Sequence, residues 1–201
     1  MKRFLKLFAW ASLAGLLLGG CSGMRVVESD VTAFTAWTST LPGPNTPYRF
    51  ERLPSQQQSP GQQQDRIESL AITSLAKVGM VIDPAKARYS VLVMANTQVG
   101  ERLPDNFAFG GPGVLLGAGN YGNSIGLSFP IGGFGQPYYV REVRIQVREL
   151  STQKVVFETR AVNDGPWGDG WAVLPAMLDS ALLGFPQPPA GTRRINVEIP
   201  R

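Results

Sequence analysis

The spacing of hydrophobic residues alternates along this chain between two periods, and this alternation constrains the fold more than any other feature. One stretch repeats apolar or small residues every third or fourth position, which is typical of a helix with one buried face: Ile67, Leu70, Ala71, Ser74, Leu75 and Val78. Ser59 as N-cap and Pro60 at the first helical position predict its start. Gly79 predicts a left-handed C-cap. A second stripe predicts a helix over about 172–183, in which Pro175 fits only the first turn.

Period-two alternation predicts strands around these helices. They fall at about 26–37, 48–53, 88–99, 138–150, 154–162 and 195–199. Ser151-Thr152-Gln153 predicts that the fourth and fifth form an antiparallel hairpin. The order strand, strand, helix, strand occurs twice. This order predicts an α+β fold, with an antiparallel or mixed sheet and two helices packed on one face, plus a long Gly-rich insertion. Two tightly packed subdomains are the alternative.

The first twenty residues are typical of an export signal. Lys2, Arg3 and Lys6 precede twelve uncharged residues, 7–18, a stretch shorter than the roughly 20 residues that cross a membrane as a helix. Leu18-Gly19-Gly20-Cys21 resembles the lipobox of bacterial lipoproteins, in which the peptidase cuts before the cysteine and the thiol carries diacylglycerol. The alternative is ordinary secretory cleavage that leaves a free thiol.

The lipobox resemblance implies a division of the chain and a location. Residues 1–20 are then the signal peptide, 21–25 a lipidated tether and 26–201 a periplasmic domain. Three acyl chains anchor a protein firmly, whereas a single chain holds only marginally. Ser22 follows the cysteine where an Asp would signal inner-membrane retention. We therefore expect the protein on the outer membrane, lipid-anchored and facing the periplasm.

Composition argues against several classes of function. The chain has one Cys and no His, which excludes imidazole-based triads, imidazole metal ligands, cysteine clusters and an internal disulfide. Removal of the leader takes three of the 19 basic residues, so that 16 face 15 acidic ones. A net charge near zero does not favour a nucleic-acid partner. We expect no cofactor, no metal, no catalytic residue and no nucleic acid.

One region does not fit a regular domain. Residues 106–140 carry no charge and include ten Gly and seven aromatic residues. Loops of this length in compact domains are usually functional or disordered. The insertion, about 106–136, could lie against its own sheet, offer an apolar surface to a protein or lipid partner, or cross a bilayer as a hairpin of an oligomeric barrel. The candidate partner-binding aromatics are Phe107, Phe109, Tyr121, Phe129, Phe134, Tyr138 and Tyr139.

Two motifs that resemble catalytic or nucleotide sites lack the expected context. Gly117, Gly119 and Gly122 match the dinucleotide-binding pattern, but the residues after them do not start a helix. Ser74 and Lys77 match S-x-x-K. We expect Ser74 on the buried face of its helix and Lys77 on the opposite, polar face, so an acylation role for this serine is not favoured.

A third cluster lies before the second helix. Asn163, Asp164 and Asp169 offer oxygens but lack the spacing of a calcium loop. A turn in which Asp169 caps the helix is favoured. Trp167 and Trp171 are expected to wedge that helix against the sheet.

Several segments together resemble the proteobacterial lipoproteins of the domain of unknown function 4136 family. They are the lipobox at Cys21 with 29–37, 48–50, 75–79, 87–93 and 147–157. Phe157 stands where that family usually has a Trp. The resemblance implies a cell-envelope location and carries over no catalytic residue.

These features predict an outer-membrane lipoprotein with a periplasmic binding or scaffolding domain and no catalytic activity. Its partners are the membrane, through the lipid, and an envelope protein or lipid. The alternative is an oligomeric, membrane-inserting export or pore component. An enzyme that uses Ser74 or a carboxylate pair is a third hypothesis.

Overall fold

The computed structural model describes residues 23–37, 40–58, 61–102, 114–117, 126–129 and 136–201. Within these ranges it contains nine strands and three helices. The strands are β1 Met24–Thr35, β2 Thr46–Phe50, β3 Met80–Ile82, β4 Tyr89–Arg102, β5 Val114–Gly117, β6 Gly126–Phe129, β7 Gln136–Glu149, β8 Val155–Gly165 and β9 Arg193–Pro200. The helices are α1 Pro54–Gln58, α2 Gly61–Lys77 and α3 Gly170–Leu182.

Seven strands form one open sheet in the order β3-β2-β4-β7-β8-β1-β9. In this order, every neighbouring pair from β4 through β7, β8 and β1 to β9 is antiparallel, whereas β2 is parallel to both β3 and β4. Parallel pairing requires a crossover connection, and α1 and α2 lie in the connection from β2 to β3. The expected combination of helices with an antiparallel or mixed sheet is therefore confirmed, and the sheet is mixed.

A single hydrophobic cluster joins the sheet to the two long helices. Strands contribute every second residue, as Val91 and Val93 of β4 or Ile145 and Val147 of β7. Helix α3 contributes eight buried residues, with Met177 and Leu178 fully enclosed. Alternating strand residues face this cluster, while their neighbours form a polar outer face, the usual pattern of an antiparallel sheet with one solvated side.

The helix predictions are confirmed for α2 and its C-cap. They are wrong on two points, the position of Pro175 and the absence of α1. Helix α2 buries the predicted stripe, and Gly79 adopts φ of 84°, the left-handed conformation of a C-cap. Pro175 lies inside α3 rather than in its first turn, because the helix begins at Gly170. Helix α1 was not predicted; the Leu53 N–H donates to Oε1 of Gln56 at 2.8 Å, half of a capping box. Ser59 and Pro60 lie outside the described residues.

The six predicted strands are confirmed to within a few residues, and the structure adds three short ones, β3, β5 and β6. β3 has three residues, too few to show a period. The predicted hairpin of β7 and β8 is present, and Gln153 in its turn has φ of 59°. β5 and β6 pair with each other as a separate two-stranded sheet.

Candidate interaction surface at one end of the sheet

The strand register brings three segments to one end of the sheet. Met24, which opens β1, pairs with Pro200 at the end of β9. Tyr139 of β7 pairs with Val99 on one side and with Gly165, the last residue of β8, on the other. We call this the tether end, and the opposite end, where β4 begins and β7 ends, the far end. The tether end therefore gathers the start of the domain, the exit of β4 toward the Gly-rich insertion and the connection from β8 to α3.

The chain enters the sheet beside its last strand. The backbone N–H of Arg201 donates to the carbonyl of Gly23 at 2.9 Å, which extends the β1–β9 ladder by one step. Gly23 is two residues after Cys21. The path from that cysteine to the sheet is at most about 7 Å of extended chain.

Two tryptophans at the tether end stack with arginines. The guanidinium groups of Arg25 and Arg201 lie 5.7 and 5.6 Å from the ring centroid of Trp167. That of Arg66, on α2, lies 4.1 Å from the ring of Trp171. These distances are within the range of cation–π attraction. We call these five residues the Arg–Trp cluster.

Both tryptophans of the cluster are partly exposed, so the expected wedge of α3 against the sheet would leave part of each ring open to solvent. The exposed fractions are 39% for Trp167 and 36% for Trp171. Arginine side chains lie over both rings. The surface thus combines large aromatic area with positive charge.

A buried arginine holds the loop that carries Trp167. Arg141 is 3% exposed, and its guanidinium donates to the Trp167 carbonyl and, at 3.3 Å, to Oδ1 of Asn163. It lies 5.1 Å from the Tyr139 ring. Burial lowers the pKa of Arg141, since the site removes water from the charged form. Its Nε has no hydrogen-bond partner among the described residues.

The N-terminus of α3 is capped within the same surface. The carboxylate of Asp169 accepts the N–H of Ala172 at 3.2 Å, so the predicted cap is confirmed. The other carboxylate oxygen lies 3.8 Å from Arg25. Asp169 therefore compensates one arginine of the Arg–Trp cluster and fixes the start of the helix that carries Trp171.

The β4–β7 ladder becomes exposed as it approaches the tether end. Val93 is fully buried, whereas Val99, on the same face of β4, is 68% exposed. Val140 is exposed on the other face. The two strands remain paired as far as Arg102 and Gln136. They form a two-stranded stalk for the chain between them.

Two cavities open at this end, one on each face of the sheet. One, of about 350 Å³, lies among α2, α3, β4 and β7 and is lined by residues that include Ile67, Tyr139, Arg141, Trp171 and Met177. The other, of about 340 Å³, is lined by residues that include Glu28, Asp30, Tyr138, Asp164 and Arg194. Arg194 donates to Asp30 and lowers the pKa of that carboxyl.

The candidate partner-binding aromatics fall into three groups. The structure does not place four of them, because they lie outside the described residues: Phe107, Phe109, Tyr121 and Phe134. The predicted lipidation site, Cys21, also lies outside the described residues. Phe129 is described by its backbone alone and pairs with Val114 between β6 and β5.

Tyr138 and Tyr139 lie at the base of the stalk and on opposite faces of β7. The hydroxyl of Tyr138 donates to Asp164, whereas Tyr139 packs against Arg141 and Gly168. Both side chains are half-buried and make contacts within the fold.

The serine–lysine motif forms a bridge between helices. Ser74 Oγ and Lys77 Nζ donate to the two carboxylate oxygens of Asp179, on α3, at 2.8 and 2.6 Å. The expected burial of Ser74 and exposure of Lys77 are confirmed, but the two side chains do not lie on opposite faces of α2, because one carboxylate from α3 reaches both. Ser74 is 3% exposed.

The oxygen-bearing residues before α3 do not converge. Asn163 is buried and donates to the Glu28 carbonyl at 2.7 Å, while Asp164 is exposed and accepts from Tyr138. Across the described residues, no three His, Cys, Asp or Glu side chains are placed to share a metal ion. In the same part of the chain, no helix has the length and hydropathy to span a membrane.

Sequence reasoning missed the arginines of the Arg–Trp cluster. Arg66 and Trp171 are far apart in the chain, and no local pattern relates them. One signal was available for Arg25 and Arg201. Arg25 lies just before the first predicted strand and Arg201 just after the last, so the pairing of these two strands would bring the arginines together.

Solved structures resemble the chain only distantly. A PDZ domain protein from Parabacteroides distasonis ATCC 8503 aligns at 12% identity with a TM-score of 0.49, over 94% of this chain and 42% of that one. The chain thus spans less than half the length of that protein. Two dodecamer structures of PelC from Paraburkholderia phytofirmans, one a point variant, align at 15% and 13% identity with TM-scores of 0.43 and 0.44. They cover 77% and 76% of this chain and 94% and 95% of theirs.

The sequence comparisons are more specific. No curated protein matches the chain significantly. A family model described as a domain of unknown function, DUF4136, matches residues 27–187, from β1 to the residues that follow α3. The predicted resemblance is confirmed, and the chain belongs to the DUF4136 family.

Proposed function

We propose that this protein is an outer-membrane lipoprotein, anchored through Cys21 and facing the periplasm, whose domain binds an envelope partner without catalysing a reaction. The observation that carries the proposal is the shared position of two segments. The start of β1 and the stalk that leads into the Gly-rich insertion lie at the same end of the sheet.

This arrangement relates the predicted anchor to the predicted contact surface. Because Gly23 follows Cys21 by two residues, a lipid on that cysteine would hold the tether end within about 7 Å of extended chain from the bilayer. The insertion would then meet partners at or near the membrane surface.

The insertion supplies the contact area in this proposal. Residues of about 106–136 follow the stalk in the chain and carry no charge. Its aromatic side chains supply large, rigid contact areas of the kind that dominate binding energy. The stalk holds its two ends in register, which lowers the entropy cost of binding.

A lipidation assay tests the anchor. Labelled palmitate should be incorporated into the protein, and a Cys21→Ser variant should incorporate none and leave the outer-membrane fraction. Incorporation by the variant equal to that of the wild type would contradict the anchor.

A deletion tests the contact surface. A chain that lacks 106–136 should fold, because the described strands and helices on either side of this segment supply a hydrophobic cluster of their own, and should lose proteins that crosslink to the wild type in cells. Unchanged crosslinks and envelope phenotype would contradict the proposal. Light scattering in mild detergent separates it from the pore alternative, since a large oligomer that becomes monomeric on deletion would favour the pore.

A further inference from the structure

We propose that the Arg–Trp cluster is a docking surface for the headgroup region of an anionic phospholipid bilayer. The inference rests on the proposed function, because the lipid anchor determines which end of the domain meets the membrane. It adds a second, non-covalent contact made by Arg66, Arg201, Trp167 and Trp171. The Arg25 side chain is only 9% exposed and adds its positive charge from within the fold.

The charge of the cluster is incompletely compensated within the fold. Arg25 lies 3.8 Å from Asp169. Within the described part of the chain, neither Arg66 nor Arg201 has a carboxylate side chain at ion-pair distance. Buried Arg141 adds a further positive charge behind Trp167. Anionic headgroups would supply the missing negative charge, and each arginine near such a surface contributes favourably.

The tryptophans have the exposure that an interfacial role requires. Trp and Tyr concentrate at the boundary between headgroups and acyl chains, where an apolar ring and a polar N–H are both accommodated. Trp167 and Trp171 present more than a third of their surface to solvent. Exposed Val99, on the neighbouring stalk and on the same face as Arg141, extends the apolar area.

The short path between the predicted lipid on Cys21 and the sheet favours the bilayer as the partner of the Arg–Trp cluster. Gly23 forms part of this end, and two residues separate it from the predicted lipid. A tether this short leaves the tether end next to the bilayer, whereas the far end points away. A second copy fits less well, because a two-fold contact through this surface would place arginines against arginines.

Lipid-quenched fluorescence tests the docking on the full-length, lipidated protein. It would be reconstituted into vesicles of phosphatidylcholine alone and of equal parts phosphatidylcholine and phosphatidylglycerol, each with lipids brominated near the headgroup. The difference between the protein and a Trp167→Phe, Trp171→Phe variant reports these two rings. Trp37 is partly buried at the far end of the sheet, away from the docked surface, so it should remain unquenched and serves as the internal control for folding.

Charge reversal supplies the matched comparison. We expect stronger quenching in anionic vesicles, and at least about a fivefold fall in the docked-to-undocked ratio for Arg66→Glu or Arg201→Glu. Lys154→Glu makes the same change at an exposed far-end residue and should leave quenching unchanged. Equal quenching in both kinds of vesicle, or an equal loss in Lys154→Glu, would overturn the proposal.

The failure of the anchor is distinguishable from the failure of the docking. The intact mass shows whether Cys21 carries a lipid. An unlipidated protein that still sediments with phosphatidylglycerol vesicles and depends on Arg201 would contradict the anchor and support the docking. A lipidated protein in which Trp167 and Trp171 remain unquenched would support the anchor and contradict the docking.

Discussion

Aromatic residues gather at both ends of this sheet, but their neighbours differ. At the far end, Trp37 donates its indole N–H to the Pro186 carbonyl at 2.8 Å. Its ring lies 5.9 Å from Tyr89, 6.5 Å from Phe157 and 5.8 Å from Phe185. At the tether end, Trp167 and Trp171 contact arginines and solvent instead.

This difference distinguishes aromatic residues whose burial stabilises the fold from aromatic residues whose exposed surface remains available for a contact. Rings that contact other rings and core methyl groups lose their surface on folding, and the gain appears in the free energy of unfolding. Rings that stack on arginines at the surface and remain more than a third exposed keep area that a partner can still cover. Substitutions at the two ends should therefore separate stability from binding.

The largest effect should come from Phe157→Ala at the far end. Phe157 is 1% exposed and contacts Trp37 and Phe185, so its removal leaves a cavity and should lower the free energy of unfolding by about 3–5 kcal/mol. Urea denaturation measures the change. Phe34→Ala is the matched control, since that ring is 68% exposed, and a comparable loss there would break the distinction between buried and exposed rings.

The next effect is a pH dependence at Tyr48, also at the far end. Burial, followed by the charge of Glu68, raises the pKa of Tyr48 to about 12 from its usual value of 10.0. The unfolded tyrosine therefore loses its proton first, so the stabilisation is complete below pH 10 and is lost as the pH rises toward 12, by about 2–3 kcal/mol in total.

The Tyr48→Phe variant isolates this contribution. It should show no such alkaline loss when its denaturation is compared with that of the wild type across that range. The hydroxyl has no hydrogen-bond partner among the described residues, so the variant should match or exceed the wild type at neutral pH. A stability difference that is independent of pH would contradict the prediction.

A smaller loss is expected for Asp179→Ala, which removes the bridge between α2 and α3. Ser74 loses its acceptor while buried, and Lys77 loses an ion pair, so unfolding should become easier by about 1–2 kcal/mol. A double-mutant cycle with Ser74→Ala should be non-additive. Labelling of Ser74 by an acylating probe would assign this serine a catalytic role instead.

The smallest effect on stability should come from Trp167→Ser at the tether end. The substitution removes stacking with Arg25 and Arg201 at a residue that is 39% exposed and outside the hydrophobic cluster of buried residues, so the loss should stay within about 1 kcal/mol. The same variant should reduce quenching in anionic vesicles. A loss as large as that of Phe157→Ala would show that Trp167 is a core residue.

Sequence patterns predicted the features that depend on residues close together in the chain. The buried stripe of α2, the left-handed Gly79 and the cap at Asp169 depend on residues within four positions of one another, and all three are confirmed. The three-residue β3 and the parallel pairing of β2 with β4 depend on what α2 brings together, which no local period records.

The site was less predictable than the fold. The aromatic content of 106–140 drew attention to the insertion, yet the described contacts lie at its base. Arg66 meets Trp171 because α2 and α3 pack together, and Arg25 meets Arg201 because β1 pairs with β9. Trp167 was expected in the core since its sequence neighbours do not reveal that Arg141 holds its carbonyl and leaves its ring outside.

The strand order also determines how the domain would carry a mechanical load. β8 alone separates β1, which continues from the predicted anchor, from β7, which continues from the insertion. A pull between the membrane and a partner on the insertion would pass through these three antiparallel strands. Because β1 and β7 both begin at the tether end, the load would enter and leave the domain there, while Trp37 and its ring contacts lie at the opposite end of the sheet.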